Sequence, residues 1–325
     1  MKREDVKMGK PNLFSPHLHI KKVPRFSHMR GLYGLLPTPY HRDLEIHTDE
    51  LRALANFCCE SGQHGIVWPV MVGEFYFLGE KERIRHFDVV MEEVSGRLPV
   101  MLGCSGVSVS QVLTFATAAQ RANADGVIAL PPVGASPEMA MDMHRRIADV
   151  FEGPLVVQNA GGQHTSLTGD QIAALLDEVP SIEYVKEERP PGRKFISEVH
   201  AAVGDRVKTI FGGAGGKFLF DEFRRGASGS MPSCGLGDVL AKVVELWWAG
   251  VEVEARDLHT RLLPLINLAS QPFMKYILKR RGVISSEVQR APKRQPPVDD
   301  DLKKEITILL EAIEEDVTAY PFGPE

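Results

Sequence analysis

The stretch PLVVQNAGGQHTSLTGDQIAALLDEVPSIEYVKEE, residues 154–188, contains one complete unit of a repeating fold. It opens on a short apolar run, PLVVQN (154–159). A glycine-bearing loop leads to TGDQIAALLDEV (168–179), where Thr168 stands as an N-cap before apolar residues at i, i+3, i+4 spacing. A second run, IEYVKE (182–187), closes the unit. Run, helix, run is the pattern of a βαβ crossover, which joins parallel strands. Consecutive apolar residues, as in LVV, mark a strand buried on both faces.

Outward from this unit the same alternation extends from about Gly31 to Gly250. The other apolar runs are GLYGLLPTP (31–39), GIVWPV (65–70), LPVMLG (98–103), GVIALPP (126–132), VKTIFGG (207–213) and ASGSMP (227–232), which makes eight candidate strands. HTDELRALANFCCESG (47–62) is another helical pattern between runs. Eight units in about 220 residues fit an α/β fold of the (β/α)8 TIM-barrel type better than an open doubly wound sheet. No GxGxxG follows the first run, which weakens a dinucleotide-binding reading. After Gly250 the strand signal stops. Residues 252–281 and 301–318 read as helices, separated by RAPKRQPPVDDD (290–301). The chain therefore divides into an N-terminal extension (1–30), the barrel (31–250) and a helical C-terminal region (251–325). The extension is basic and proline-punctuated, lacks the apolar core of a signal peptide, and reads as an arm packed on the surface or on a neighbouring subunit.

Composition excludes several function classes. The 325 residues are 43% hydrophobic and 25% charged, too apolar for a disordered chain. Lys and Arg number 38 against 43 Asp and Glu, a net charge of −5, so nucleic acid is not the expected partner. Four cysteines without CxxC spacing make neither a disulfide framework nor a zinc site, and a reduced, cytoplasmic protein is expected. No apolar run reaches the roughly 18–20 residues of a membrane helix, so no membrane partner is expected.

Barrels of this kind place their chemistry at the C-terminal ends of the strands. Thr38, Gly73-Glu74, Gly103-Cys104-Ser105, Gln158-Asn159, Lys186-Glu187-Glu188 and the loop Gly212–Gly216 stand there. Strand alternation points Tyr184, Lys186 and Glu188 into the barrel and Val185 toward the helices. A lysine inside a barrel is costly unless it is paired or used, and burial favours the neutral, nucleophilic amine. The alternative is a strand-end lysine that snorkels to solvent. Glu188 shares the inward face and reads either as a proton-transfer group or as half of an ion pair. Gln158 either bonds substrate or an ordered water, or is a satisfied amide at the barrel mouth. Cys104 reads as a small buried residue, and His164 as a loop residue more often at the surface than at substrate. GGAGG (212–216) offers backbone N–H groups to an anion, but it is not a nucleotide-binding loop.

The order GLLPTPY, VGEFYFLGEKER, GVIALPP, VVQN, YVKE and GASGSMPS resembles the dihydrodipicolinate synthase / N-acetylneuraminate lyase family of class I aldolases, over roughly residues 31–320. The resemblance implies a (β/α)8 barrel, usually a homotetramer or dimer of dimers, with no metal and no cofactor. It also implies a Schiff base between a 2-oxo acid and Lys186. Departures from the family pattern narrow the expected activity. GTTGE becomes Val70-Met71-Val72-Gly73-Glu74, and the proton-relaying tyrosine becomes Gln158. An arginine for the second substrate falls near Gln163, and a partner-subunit tyrosine falls near Val133. These changes argue against lysine-pathway condensation and sialic acid cleavage. PLVVQNAGGQHTSL, YVKEERPPG, GASGSMPSCGLGD and RGVISSEVQRAP resemble instead the branch of 2-keto-3-deoxy sugar acid dehydratases, which shares the glutamine and the Lys-x-Glu. The implied activity is dehydration of an L-2-keto-3-deoxyarabonate-like acid through a Lys186 imine, with Glu188 and Gln158 as catalytic partners. Thr38, Val72, Gly73, Ser105, Asn159 and Gly213 are expected around the substrate, and Glu74 is expected to cap a short helix. Retro-aldol cleavage to pyruvate and an aldehyde, and an idle barrel with a binding or regulatory role, remain open alternatives.

Overall fold

The computed structural model describes residues 25–160, 166–190, 192–290 and 295–323. Eight parallel strands close into a barrel in sequence order: β1 (Gly31–Leu35), β2 (Gly65–Trp68), β3 (Val100–Gly103), β4 (Gly126–Ala129), β5 (Leu155–Asn159), β6 (Ile182–Glu187), β7 (Thr209–Gly212) and β8 (Gly229–Ser230). All eight apolar runs of the sequence become strands. Between them run α1 (Thr48–Glu60), α2 (Glu80–Val94), α3 (Val109–Arg121), α4 (Pro137–Ala148), α5 (Gly169–Glu178), α6 (Gly192–Val203) and α7 (Leu219–Arg224), and α8 (Gly237–Trp248) completes the ring. The Thr168 side chain does cap α5, accepting from the Gln171 N–H, while Gln171 reaches back to complete a capping box.

Two apolar layers hold the barrel together. Inside it, Tyr33, Val67, Met101, Ile128, Val156, Tyr184 and Phe211 interlock. Between strands and helices lies the larger layer, to which Val185 belongs. Strand alternation thus divides Tyr184 from Val185 as a two-residue period requires. Met29, just ahead of β1, is 1% exposed and joins the inner layer, where its N–H donates to the Tyr184 hydroxyl at 3.1 Å. The last residues of the N-terminal extension therefore seal the barrel end opposite the strand C-termini. Residues 1–24 of the extension lie outside the described residues.

The C-terminal region differs from its sequence reading in one respect. Residues 252–281 form two helices, α9 (Glu252–Asn267) and α10 (Gln271–Arg280). The break comes at Ser270, whose hydroxyl caps α10, with Pro272 in the first turn. A proline lacks the N–H that a continuous helix would need there, whereas a first turn leaves that N–H unused. The final helix, α11, spans Asp300–Glu311 and starts at the Asp299 cap. Among the described residues no helix is long and apolar enough to cross a membrane.

Candidate active site

The register between β5 and β6 builds the site. Gln158 pairs with Lys186, and Asn159 with Glu187. Partners across a ladder share a face, so the first pair points into the barrel and the second toward the helices. On the outer face Asn159 Nδ2 donates to Glu187 at 2.8 Å, and the Glu187 carboxylate also takes the Arg189 N–H and guanidinium. Burial pushes the Glu187 carboxyl up, and its arginine partner works against that shift. Asn159 further clamps Leu167 through both its amide groups. Asn159 and Glu187 are thus a buckle between strand ends and stand outside the cavity.

On the inner face the Lys186 amine is buried, 3% exposed, and lies 3.1 Å from Glu188 Oε2. Gln158 Nε2 donates to the same oxygen at 2.8 Å, while its own Oε1 is buried without a partner. Glu188 is fixed through its backbone, since its N–H donates to the Asn159 carbonyl at 2.8 Å. Lysine, glutamate and glutamine thus meet at one carboxylate oxygen. They open on a cavity of about 250 Å³ at the C-terminal ends of the strands.

The glycine loop after β7 makes room for this cluster. A Cβ on Gly213 would stand 2.6 Å from Glu188 Cγ, so only glycine lets that side chain lie where it does. A Cβ on the neighbouring Gly212 would collide with the carboxylate of Glu222 from α7. Glu222 is 2% exposed, has one carboxylate oxygen without a partner, and bonds the Gly213 N–H. Burial, with the nearby Glu188 charge, pushes its carboxyl up to about 7. The glycines therefore admit two carboxylates of the chain itself. No sequence signal marks Glu222, because its position depends on how α7 packs behind the loop.

Among the remaining expected residues, Val72 lines the cavity. Thr38 lies beneath it: its hydroxyl donates to the Gly73 carbonyl at 2.6 Å and takes the Trp68 indole N–H at 3.1 Å. Thr38 and Gly73 thus tie the end of β1 to the turn after β2 and do not line the cavity. Ser105 accepts the Leu130 N–H at 2.8 Å and holds the ends of β3 and β4 together, also away from the cavity. Glu74 caps no helix with its side chain. Its carboxylate accepts from Lys275 Nζ of α10 and from the Arg290 N–H, both at 2.8 Å, and the Lys275–Glu74 pair is fully buried. That pair instead bolts the C-terminal region to the barrel. Cys104 is fully buried, which pushes its thiol up to about 12. Gln163 and His164 lie outside the described residues.

Sequence reasoning missed two parts of the cavity. Ser233, just past β8, lines it with a hydroxyl that has no partner. Leu236 in the short turn before α8, Leu240 of α8, Ile266 of α9 and Phe273 of α10 form its far wall. Gln271 of α10 reaches across and donates to the Val72 carbonyl at 2.9 Å. Among the described residues no three His, Cys, Asp or Glu side chains converge to hold a metal ion.

Comparison with known proteins agrees with this fold. The model of the dihydrodipicolinate synthetase family matches residues 28–313. The chain is 26% identical over 294 residues to an L-2-keto-3-deoxyarabonate dehydratase of Azospirillum brasilense, covering 88% of this chain and 94% of that protein. It is 30% identical over 243 residues to a 4-hydroxy-tetrahydrodipicolinate synthase of Pelobacter propionicus, covering 73% and 82%. The crystal structure of a dihydrodipicolinate synthase from Rhodopseudomonas palustris superposes with a TM-score of 0.79 at 27% identity, covering 90% of this chain and 99% of that one.

Proposed function

The chain belongs to the dihydrodipicolinate synthetase family, and on that premise we propose that it is a Schiff-base-forming lyase that dehydrates a 2-keto-3-deoxy acid. One observation carries the reading: a lysine amine 3% exposed inside the barrel, 3.1 Å from a carboxylate, facing a cavity. An ammonium cannot attack a carbonyl. Glu188 is within hydrogen-bond reach of the Lys186 proton and is the group that takes it. The freed amine adds to C2, Glu188 returns its proton to the former carbonyl oxygen, which leaves as water, and a protonated imine results beside the Glu188 carboxylate. That imine draws electrons from C3, so a C3 proton passes to the carboxylate and an enamine forms. The protonated Glu188 then gives its proton to the C4 hydroxyl. The C4–O bond breaks as the nitrogen lone pair re-forms the imine and the C2=C3 electrons shift to C3–C4, and a second water leaves. Water hydrolyses the unsaturated imine and restores the Lys186 amine, so the net change is loss of one water.

This sequence uses one carboxylate first as base and then as acid, and it asks no proton relay of Gln158, which has none to offer. Gln158 holds Glu188 in place through its amide N–H. The unpartnered Ser233 hydroxyl is the donor for the substrate carboxylate. Similarity to the Azospirillum dehydratase supports the dehydration outcome over cleavage to pyruvate and an aldehyde. The same reading includes a cytoplasmic homo-oligomer, a tetramer or dimer of dimers. Val107 and Val133, exposed in the loops after β3 and β4, are the apolar side chains that such an assembly would cover.

The test is borohydride reduction in the presence of pyruvate, with peptide mapping and product analysis. An adduct on Lys186, absent from Lys186→Ala, and an unsaturated keto acid without carbon–carbon cleavage are the expected results. An adduct on another lysine removes the site assignment. Release of pyruvate from 2-keto-3-deoxy acids replaces dehydration by retro-aldol cleavage.

A further inference from the structure

Among the described residues, few polar side chains line the cavity. Among the described side chains that line it, only Gln158, Lys186, Glu188 and Ser233 carry polar atoms. Three of these are engaged by the reacting end of the substrate, the amine by C2, the carboxylate by the C3 and C4 protons and the hydroxyl by the substrate's carboxylate, while Gln158 donates to Glu188 and keeps only its Oε1 for one further donor. Beyond them the wall is Val72, Leu236, Leu240, Ile266, Phe273 and Ile277. Five of the six are buried, from 1% to 7% exposed. They come from the turn after β2, from α8 and its preceding turn, and from α9 and α10, so several separate elements converge on one apolar compartment.

We propose, resting on the Schiff-base reading of the same site, that the substrate is a 4-hydroxy-2-oxo acid whose group beyond C4 is a hydrocarbon, aryl or alkyl, and not a polyol. A sugar-acid tail would bury hydroxyls against leucine, isoleucine and phenylalanine, and a buried hydroxyl without a partner is disfavoured. A hydrocarbon tail loses only water contacts there. A cleft of about 250 Å³ with such walls gives a hydrocarbon close-packed contacts. A cavity of about 150 Å³ lined by similar side chains admits benzene, so the size suits a single ring with the reacting carbons beside it.

The experiment compares three 2-oxo acids on the wild-type protein by borohydride trapping at Lys186. Pyruvate has no tail, 2-oxo-4-phenylbutanoate has an aryl tail and no leaving hydroxyl, and 2-keto-3-deoxygluconate has a polyol tail. Each buried methylene is worth about fourfold in affinity, so the phenyl acid is expected to half-saturate trapping at a concentration at least tenfold below the other two. A sugar acid that half-saturates at or below the phenyl acid overturns the proposal, as does equal trapping by all three, and in both cases the Schiff-base reading stands. Absence of any adduct on Lys186 with all three overturns the Schiff-base reading itself.

Discussion

Glu222 gives the sharpest physical test of the barrel mouth, because its protonation is coupled to folding. Its carboxyl is pushed from 4.5 up to about 7 by burial behind Gly212 and Gly213 and by the neighbouring Glu188 charge. Below pH 4.5 both folded and unfolded chains carry the proton, and the group contributes nothing to the difference. As pH rises through 4.5 the unfolded chain releases its proton while the folded chain keeps it until about 7. Unfolding then releases a proton, so stability falls across that window and levels off above it. At about 1.4 kcal/mol per pKa unit, the loss between pH 5 and pH 8 is roughly 2–3 kcal/mol. Glu222→Gln keeps the shape and removes the titration. The assay is urea unfolding of wild type and variant at half-unit steps from pH 5 to 8. The expected result is a stability difference that shifts toward the variant by roughly 2–3 kcal/mol as pH rises. Parallel pH profiles would refute the account, because they would mean that Glu222 ionises alike in both states.

Three further perturbations separate the roles assigned around it. Glu188→Gln should lower kcat by about 10²–10⁴-fold; the check is steady-state turnover beside borohydride trapping, and turnover within tenfold of wild type would remove Glu188 from proton transfer. Gly213→Ala places a methyl 2.6 Å from Glu188 Cγ and 2.8 Å from its Oε1, so turnover should fall about a hundredfold by displacement of the carboxylate, with a circular dichroism spectrum like that of wild type. An alanine variant with full activity would show that the glycine is not there for Glu188. Lys275→Met leaves the buried Glu74 carboxylate without its ammonium, and breaking a buried pair costs about 3–5 kcal/mol. A drop in unfolding free energy of that size, read from urea titration, is expected, and recovery of part of it in the double variant with Glu74→Gln would assign it to the pair.

The barrel was legible in the sequence because its determinants are local. Runs such as LVVQN and GVIA must be apolar on both faces, and each is followed by a helix with its own cap. Even β8, two residues long, was marked by its position after β7 in the repeat. Lys186 and Glu188 were legible for the same reason, since strand alternation alone sends both inward. The break between α9 and α10 carried a signal, Ser270 followed by Pro272, that a helical periodicity running through it concealed. Thr38 and Ser105 show the limit of strand-end reasoning. Both are at strand ends, yet their hydroxyls bond Gly73, Trp68 and Leu130 within the scaffold. Whether a strand-end hydroxyl faces substrate or scaffold depends on the neighbouring loop, which spacing does not reveal.

The far wall of the cavity was not legible because it comes from chain past the last strand, between Leu236 and Ile277. Its placement rests on contacts between distant segments: Lys275 with Glu74, Arg290 with the Leu44 carbonyl and Glu82, and Gln271 with the Val72 carbonyl. These bonds join α10 to the turn after β2, and both elements line the cavity. The reacting groups and the apolar wall therefore have separate origins in the sequence. The barrel strands supply the lysine, its carboxylate and its amide, while the C-terminal helices supply half of the apolar side chains a substrate tail would touch, Ile266, Phe273 and Ile277. Substitutions at Leu240, Ile266 or Phe273 can then change which tail fits while Lys186, Glu188 and Gln158 keep their geometry, since no hydrogen bond of that cluster runs through the helices. Such a division is what lets one imine chemistry serve substrates that differ only beyond C4.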